Sequence, residues 1–288
     1  MEINFRNVSF SYQLNTPFST AALKDVSFDI PDGSFTSIVG HTGSGKSTVL
    51  QLIDGLLIPE KGHIQAGSFQ MNSGSNAKHL KKFRKNVGFI FQFSENQLFE
   101  ETVEKDLIFG PKNFGVEEKI AKEKARKVLK IVNLPESFLQ KSPLDISGGQ
   151  RRRVAIASIL ISDPQLLLLD EPVIGLDPGS KDEIMNLFSR LNQQGKTIVM
   201  VSHEMDDVAD YSDQIIVLNA GRISKVGSPE EIFSDESYLR KEKLRLPSAI
   251  DFAKQLKKVG FPINVSIKNK RELLREIKKQ FEIKKDKK

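Results

Sequence analysis

Nine residues, Gly40-His41-Thr42-Gly43-Ser44-Gly45-Lys46-Ser47-Thr48, follow the strand-like segment SFTSIVG and lead into a helix. The pattern G-x-x-x-x-G-K-[ST] in that setting constrains the fold more than any other feature, because the chain must turn sharply from a strand end into a helix N-terminus. Glycines allow the turn, so that successive backbone N–H groups face the β-phosphate of a nucleotide. Lys46 is then placed to neutralise the β and γ oxygens, and the Ser47 hydroxyl to ligate Mg²⁺. Residues 40–48 are the expected cradle of a nucleoside triphosphate, ATP.

The rest of the chain supplies the scaffold that such a turn needs. The first 40 residues read as strands, with DVSFDI and SFTSIVG joined by the turn residues Pro31, Asp32 and Gly33, and predict an antiparallel start. Apolar runs then recur as NVGFIFQ, QLLLLDE and TIVMVSH between helical patterns, the rhythm of a parallel sheet wrapped by helices. A hairpin is expected at QIIVLN, the Ala220-Gly221 turn and RISKVG, and Gly67 to Asn76 reads as a polar loop. Between Gln92 and Ser147 there is no comparable strand; Ile120, Ala121, Ala125, Val128, Leu129 and Val132 share a helical face, which suggests a helical subdomain inserted over about 93–160. Ser228, Pro229 and two glutamates open a capped helix. The expected organisation is an α/β domain over 1–235, with an antiparallel β subdomain and the helical insertion, followed by a helical appendage over 236–288 whose late apolar stripe is Leu273, Leu274, Ile277 and Phe281.

Composition narrows the classes. The 288 residues hold no cysteine, which excludes disulfides, thiol nucleophiles and Cys-ligated zinc. The N-terminal segment lacks the basic and apolar stretches of a signal peptide, and apolar runs such as Val154 to Ile161 fall short of the roughly 20 residues that cross a bilayer. Any role at a membrane is exerted from its surface. The net charge of +6 is unevenly spread: residues 239–288 hold 17 Lys and Arg against 6 Asp and Glu, while the remainder holds 26 against 31. Such a tail attracts anionic lipid or nucleic acid. Helix-spaced apolar residues running through it favour instead the solvated faces of two amphipathic helices, ending in a frayed KKDKK.

Two further segments carry chemistry. The run Leu166 to Leu169 is a buried strand that delivers Asp170 and Glu171 at its C-terminal end, where open α/β sheets bind ligands. Asp170 suits the metal or its water, and Glu171 suits a general base on the attacking water. Ile146-Ser147-Gly148-Gly149-Gln150 heads the apolar helix that contains Val154, Ala155 and Ile156.

In order, the 40–48 loop, Gln92, ISGGQ, LLLLDEP, Gly175-Leu176-Asp177 and His203 resemble the motif set of ABC ATPases over roughly residues 2 to 235. The resemblance implies a P-loop NTPase of ABC ATPase type. In it Tyr12 stacks on adenine, Gln92 approaches Mg²⁺ and the water and signals to the membrane partner, and His203 contacts the γ-phosphate. Ser147, Gly148, Gly149 and Gln150 cap the γ-phosphate bound by the opposite subunit, with Asp177 on the same seam. Ile146 stands where Leu is usual and Val173 where Thr or Ser is frequent; neither change removes a ligand group.

The stretch from Gln92 to Val103, the loop NTPFSTAAL, GHTGSGKST and SGGQRRRVAIA look more narrowly like energy-coupling-factor transporter ATPases, the second of their two types. That resemblance implies a peripheral protein on the cytoplasmic face of the cell membrane, powering vitamin or micronutrient uptake. Its implied partners are a paralogous second ATPase subunit in a heterodimer, a transmembrane coupling protein facing the segment after Gln92, and a membrane-embedded protein that binds a vitamin such as folate, riboflavin or biotin. The alternatives are an ATPase of another ABC transporter class or a soluble ABC ATPase acting on nucleic acid. Lys46 and Ser147 are too close in sequence to hold the long coiled coil of repair-type members, and one ATPase domain does not match the two of translation-type members. No nucleic-acid partner is therefore expected.

Overall fold

The computed structural model describes every residue except 15, 76, 264–266, 268, 269 and 286–288. Four strands, β1 (Ile3–Tyr12), β2 (Thr20–Ile30), β4 (Lys61–Ala66) and β5 (Phe69–Asn72), form an antiparallel sheet in the order β2-β1-β4-β5. In β1 the inward alternation of Ile3 and Phe5 resumes at Val8, across a register shift at Asn7, whose φ is 51°. That bulge returns Val8 and Phe10 to the core face. The antiparallel start is β1 with β2, and the two strands joined by the 31–33 turn do not pair with each other. The Pro31-Asp32-Gly33 turn carries the chain out of this sheet into the next.

The second sheet contains β3 (Phe35–Val39), β6 (Val87–Ile90), β7 (Leu166–Asp170), β8 (Thr197–Val201), β9 (Gln214–Asn219) and β10 (Arg222–Gly227), in the order β10-β9-β3-β8-β7-β6. All neighbours run parallel except the β9–β10 hairpin. β3, β6 and β8 are buried at every position, and β7 at every position but Asp170, which explains their unbroken apolar runs. Around the sheets lie α1 (Lys46–Ile53), α2 (Ala77–Arg84), α6 (Pro178–Gln193) and α7 (Met205–Tyr211).

Residues 94–160 are helical: α3 (Val103–Asn113), α4 (Glu118–Ile131) and α5 (Gly148–Leu160), with 3₁₀ turns at Ser94–Gln97, Glu136–Gln140 and Pro143–Asp145. The expected face of α4 needs one correction. Ala121, Ala125, Val128, Leu129 and Val132 are buried, whereas Ile120 is 47% exposed, since one residue earlier is about 100° around the helix. The loop expected over 67–76 likewise contains β5, in which only Met71 is buried, against Ile64 of β4; a four-residue edge strand with polar neighbours has no visible alternation. Asn76 lies outside the described residues.

After β10 come α8 (Pro229–Phe233), α9 (Glu236–Lys241), α10 (Ser248–Lys258) and α11 (Lys270–Lys285). Ser228 caps α8 in a reciprocal box with Glu231, with Pro229 at its first position. Leu239 and Ile250 pack into the main core, while Ala249, Ala253, Ile263, Ile267 and Leu273 form a small cluster of their own. Of the late stripe, Leu273 is buried and Ile277 packs against it, but Leu274 and Phe281 are exposed. The last three residues of KKDKK lie outside the described residues. No described helix is long and apolar enough to cross a membrane.

Candidate nucleotide site

β3 ends at Val39, and α1 begins at Lys46, so the six intervening residues must reverse the backbone beside the sheet. Gly40 has φ 151°, and a Cβ there would lie 2.1 Å from the Leu218 carbonyl oxygen of β9. Only glycine fits so close an approach. Gly45, with φ 105°, is the N-cap of α1 and offers no side-chain cap, so the first N–H groups of the helix are left for an anion.

These N–H groups open on a cavity of about 500 Å³ at the C-terminal ends of the parallel strands. Its walls bring together Tyr12, Thr42, Gly43, Gly45, Lys46, Ser47, Thr48, Gln92, Asp170, Glu171 and His203, with Ala21, Ala22 and Ile174. Tyr12 closes one side; its hydroxyl meets Thr48 Oγ1 at 3.1 Å and donates to Gln51 Oε1 at 3.2 Å. Three expected residues stand behind the loop. Gly40 packs on β9, Ser44 is fully buried, and His41 turns toward Asn219.

The charged groups are crowded. Lys46 is buried and its Nζ donates to the carbonyls of Gly40 and His41, at 2.9 and 3.0 Å. Burial lowers its pKa, against the opposing pull of Glu171 and Asp170. Burial raises the Asp170 carboxyl, opposed by a hydrogen bond from Ser47 and by the charge of Lys46. Glu171 is pushed up to about 7, first by burial, with Asp170 adding repulsion and the His203 backbone N–H and Lys46 opposing. Its Oε1 lies 3.4 Å from His203 Nε2 and is a buried atom without a hydrogen-bond partner. Burial, followed by the charge of Lys46, lowers His203. Glu171 also holds φ 50°, a left-handed value that is strained for a residue with a Cβ, and its N–H donates to Val201 O at 3.1 Å.

Hard oxygen donors from Ser47, Asp170 and Gln92 meet at this wall, a set that suits Mg²⁺ when phosphates and water complete the shell. Among the described residues no cluster of three His, Cys, Asp or Glu is able to hold a metal without such help.

Ser147, Gly148, Gly149 and Gln150 are outside the cavity. Ser147 caps α5: its Oγ accepts from Gln150 N at 3.3 Å, and Gln150 Oε1 accepts from Ser147 N at 3.0 Å. Ser147 and Gly148 face solvent, and a Cβ on Gly148 would meet nothing within 4 Å. The helix head therefore presents glycine backbone outward. Asp177 is exposed as the N-cap of α6, accepting from Ser180 N at 3.0 Å.

Sequence reasoning missed Arg152. It is 1% exposed, pairs with Glu95 Oε2 at 3.0 Å, and donates to Ile174 O at 3.1 Å. It thereby joins α5 to the turn after Gln92 and to the strip leading to Asp177. The available signal was an arginine at helical spacing on the apolar face of Ala155 and Ile156.

The ABC transporter family profile matches residues 23–174, more than half of the chain. The chain belongs to the ABC transporter family. Within it, the chain is an energy-coupling factor transporter ATP-binding protein: it is 99% identical over 288 residues, all of both chains, to the protein named EcfA3 of Oenococcus oeni. The protein named EcfA2 of Enterococcus faecalis is 51% identical over 262 residues, 91% of each chain. Among solved structures, this ABC ATPase resembles cbiO1 of Clostridium perfringens, part of the transporter complex cbiONQ, with TM-score 0.72 and 34% identity over 85% of this chain and 95% of that one. It also resembles the ATP-binding cassette MJ0796, a dimer bound to ADP and phosphate, with TM-score 0.70 and 31% identity over 78% of this chain and 98% of the other. The activity of this ABC ATPase is ATP hydrolysis coupled to transport.

Proposed function

We propose that residues 1–235 form a nucleotide-binding domain that hydrolyses Mg-ATP in a site shared between two subunits, and that 236–288 form an appendage to it. The carrying observation is a division of parts: Lys46, Ser47, Asp170, Glu171 and His203 line one cavity, while the exposed head of α5 at Ser147–Gln150 lies apart from it.

The backbone of the 40–48 loop and Lys46 hold the β- and γ-phosphates, and Tyr12 stacks on the adenine. Mg²⁺, when bound by Ser47, Asp170 and Gln92 with the phosphates, supplies charge neutralisation of the γ-phosphoryl group. Glu171 takes the proton of the attacking water, its raised pKa giving it basicity near neutral pH. His203 holds a γ-phosphate oxygen. The anion-binding head of α5, with Gly148 and Gly149 open, caps the γ-phosphate held by the opposite subunit. ATP thus favours a closed head-to-tail pair, and hydrolysis releases it.

The family membership supports the finer assignment: a peripheral subunit on the cytoplasmic face of the membrane, paired with a paralogous ATPase, driving a transmembrane coupling protein and a membrane-embedded vitamin-binding protein. The basic tail serves the helices α10 and α11 rather than nucleic acid, since their apolar residues build the cluster around Ala253.

Substituting Glu171→Gln in the assembled transporter is the test. ATP binding is retained and turnover falls by about 10² to 10⁴-fold, the usual contribution of a general base. Near-parental turnover refutes the role of Glu171. Lys46→Ala instead weakens nucleotide binding itself.

A further inference from the structure

The appendage reaches the phosphate loop through three side chains. Glu242, the C-cap of α9, is 4% exposed, and its carboxylate accepts from Asn219 Nδ2 at 2.7 Å and from Ser224 Oγ at 2.8 Å. A carboxylate at that contact takes the amide N–H₂ of Asn219, so Oδ1 is turned the other way. There it faces His41 Nε2 at 3.1 Å, while His41 Nδ1 lies 2.7 Å from the carbonyl oxygen of Thr42, a residue of the cavity wall. Both oxygens are acceptors, so a ring with one N–H donates to one of them at a time and a ring with two donates to both. Asn219 ends β9, the strand that pairs with β3 and whose Leu218 carbonyl abuts Gly40. The second residue of the loop is therefore held from outside the loop, by a chain of contacts that ends in a buried carboxylate of the appendage.

We propose that Glu242 and Asn219 are positioning residues for the nucleotide: through His41 they hold the phosphate loop in its binding shape, so the appendage contributes to ATP affinity without touching ATP. The physical basis is preorganisation. A loop already fixed by Asn219 loses less freedom when phosphate binds than one whose His41 swings free. By linkage, nucleotide in the site tightens the same chain of contacts and with it the docking of α9. This inference rests on the nucleotide-site reading above.

The full-length chain, titrated with a fluorescent methylanthraniloyl ATP and unfolded in urea, separates the two. Asn219→Ala and Glu242→Ala each weaken nucleotide binding about tenfold, the factor equivalent to about 1.4 kcal/mol. Glu242→Gln, whose amide oxygen still accepts from Asn219, recovers affinity to within about threefold, as a neutral hydrogen bond replaces a charge-assisted one. Ser248→Ala is the control for mere docking. It removes the hydroxyl that donates to Asp206 at 2.9 and 2.8 Å, a docking contact that shares no partner with His41, lowering the urea midpoint while leaving affinity within about twofold, as sites without shared partners allow. Parental affinity in Asn219→Ala overturns the proposal, and so does a loss in Ser248→Ala equal to that in Glu242→Ala. Lys46→Ala distinguishes the levels: if it too binds like the parent, the nucleotide-site reading fails, whereas if it abolishes binding and Asn219→Ala does not weaken it, the relay alone fails.

Discussion

Replacing Arg152 by alanine strands a carboxylate and a carbonyl at once. The guanidinium is 1% exposed and Glu95 is 20% exposed, so their 3.0 Å pair is well shielded from water. Ile174 O loses the 3.1 Å donor, and the Phe93 ring loses a cation centred 6.0 Å away. Removing one member of a buried pair costs about 3–5 kcal/mol, most of it from the partner left uncompensated. At about 2 °C per kcal/mol for a chain of this size, the melting temperature falls by about 6 to 10 °C. Arg152→Lys keeps the charge but has no planar fork to serve Glu95 and Ile174 together, and it recovers only part of the loss. The assay is thermal unfolding of Arg152→Ala, Glu95→Ala and the double variant. The double variant is less destabilised than the summed singles by at least about 1 kcal/mol, as for contacting pairs. Additive losses, or an Arg152→Ala variant within about 0.5 kcal/mol of the parent, refute the account of Arg152 as the tie between α5, the turn after Gln92 and the strip before Asp177.

Two other perturbations have definite outcomes. Burial raises the Glu171 carboxyl from its ordinary 4.5 to about 7, so the stability of its neutral form is fully present below pH 4.5 and lost as the pH rises through about 7. In the nucleotide-free chain, Glu171→Gln is therefore more stable than the parent at pH 8 by about 3 kcal/mol, at about 1.4 kcal/mol for each pH unit, and the gap closes below pH 5; equal urea midpoints at both pH values contradict this. Gly40→Ala, whose Cβ meets the Leu218 carbonyl at 2.1 Å with φ at 151°, costs about 3 kcal/mol or more and abolishes nucleotide binding, measured by urea unfolding and nucleotide titration.

Local chemistry made much of the site legible. The glycine-lysine loop announces its own backbone geometry, and an apolar run ending in Asp170 and Glu171 announces a buried strand with carboxylates at its ligand-binding end. Those signals are short in sequence, so one chain segment contains them whole. Arg152 and the Glu242–Asn219–His41 chain are different, because their partners are 57 and 178 residues apart and no spacing rule joins them. The miss at β5 has another cause: four residues on a sheet edge bury one side chain, and a period of two cannot be read from one point. Ile120 and Leu274 each stand one step, about 100°, beyond the edge of the core-facing arc, and apolar letters in a row do not mark where that edge falls.

The central claim is that ATP is held by the loop of one subunit and capped by the α5 head of the other. An ATP carrying a photoreactive group on its γ-phosphate reads this directly, in a pair of differently tagged ATPase subunits in which only this chain carries Lys46→Ala. Nucleotide then binds the partner's loop, and the account predicts that the label appears on the 147–150 segment of the Lys46→Ala chain. Loss of label from that segment in the Lys46→Ala chain, with the label found on the partner's own α5 head instead, would contradict it.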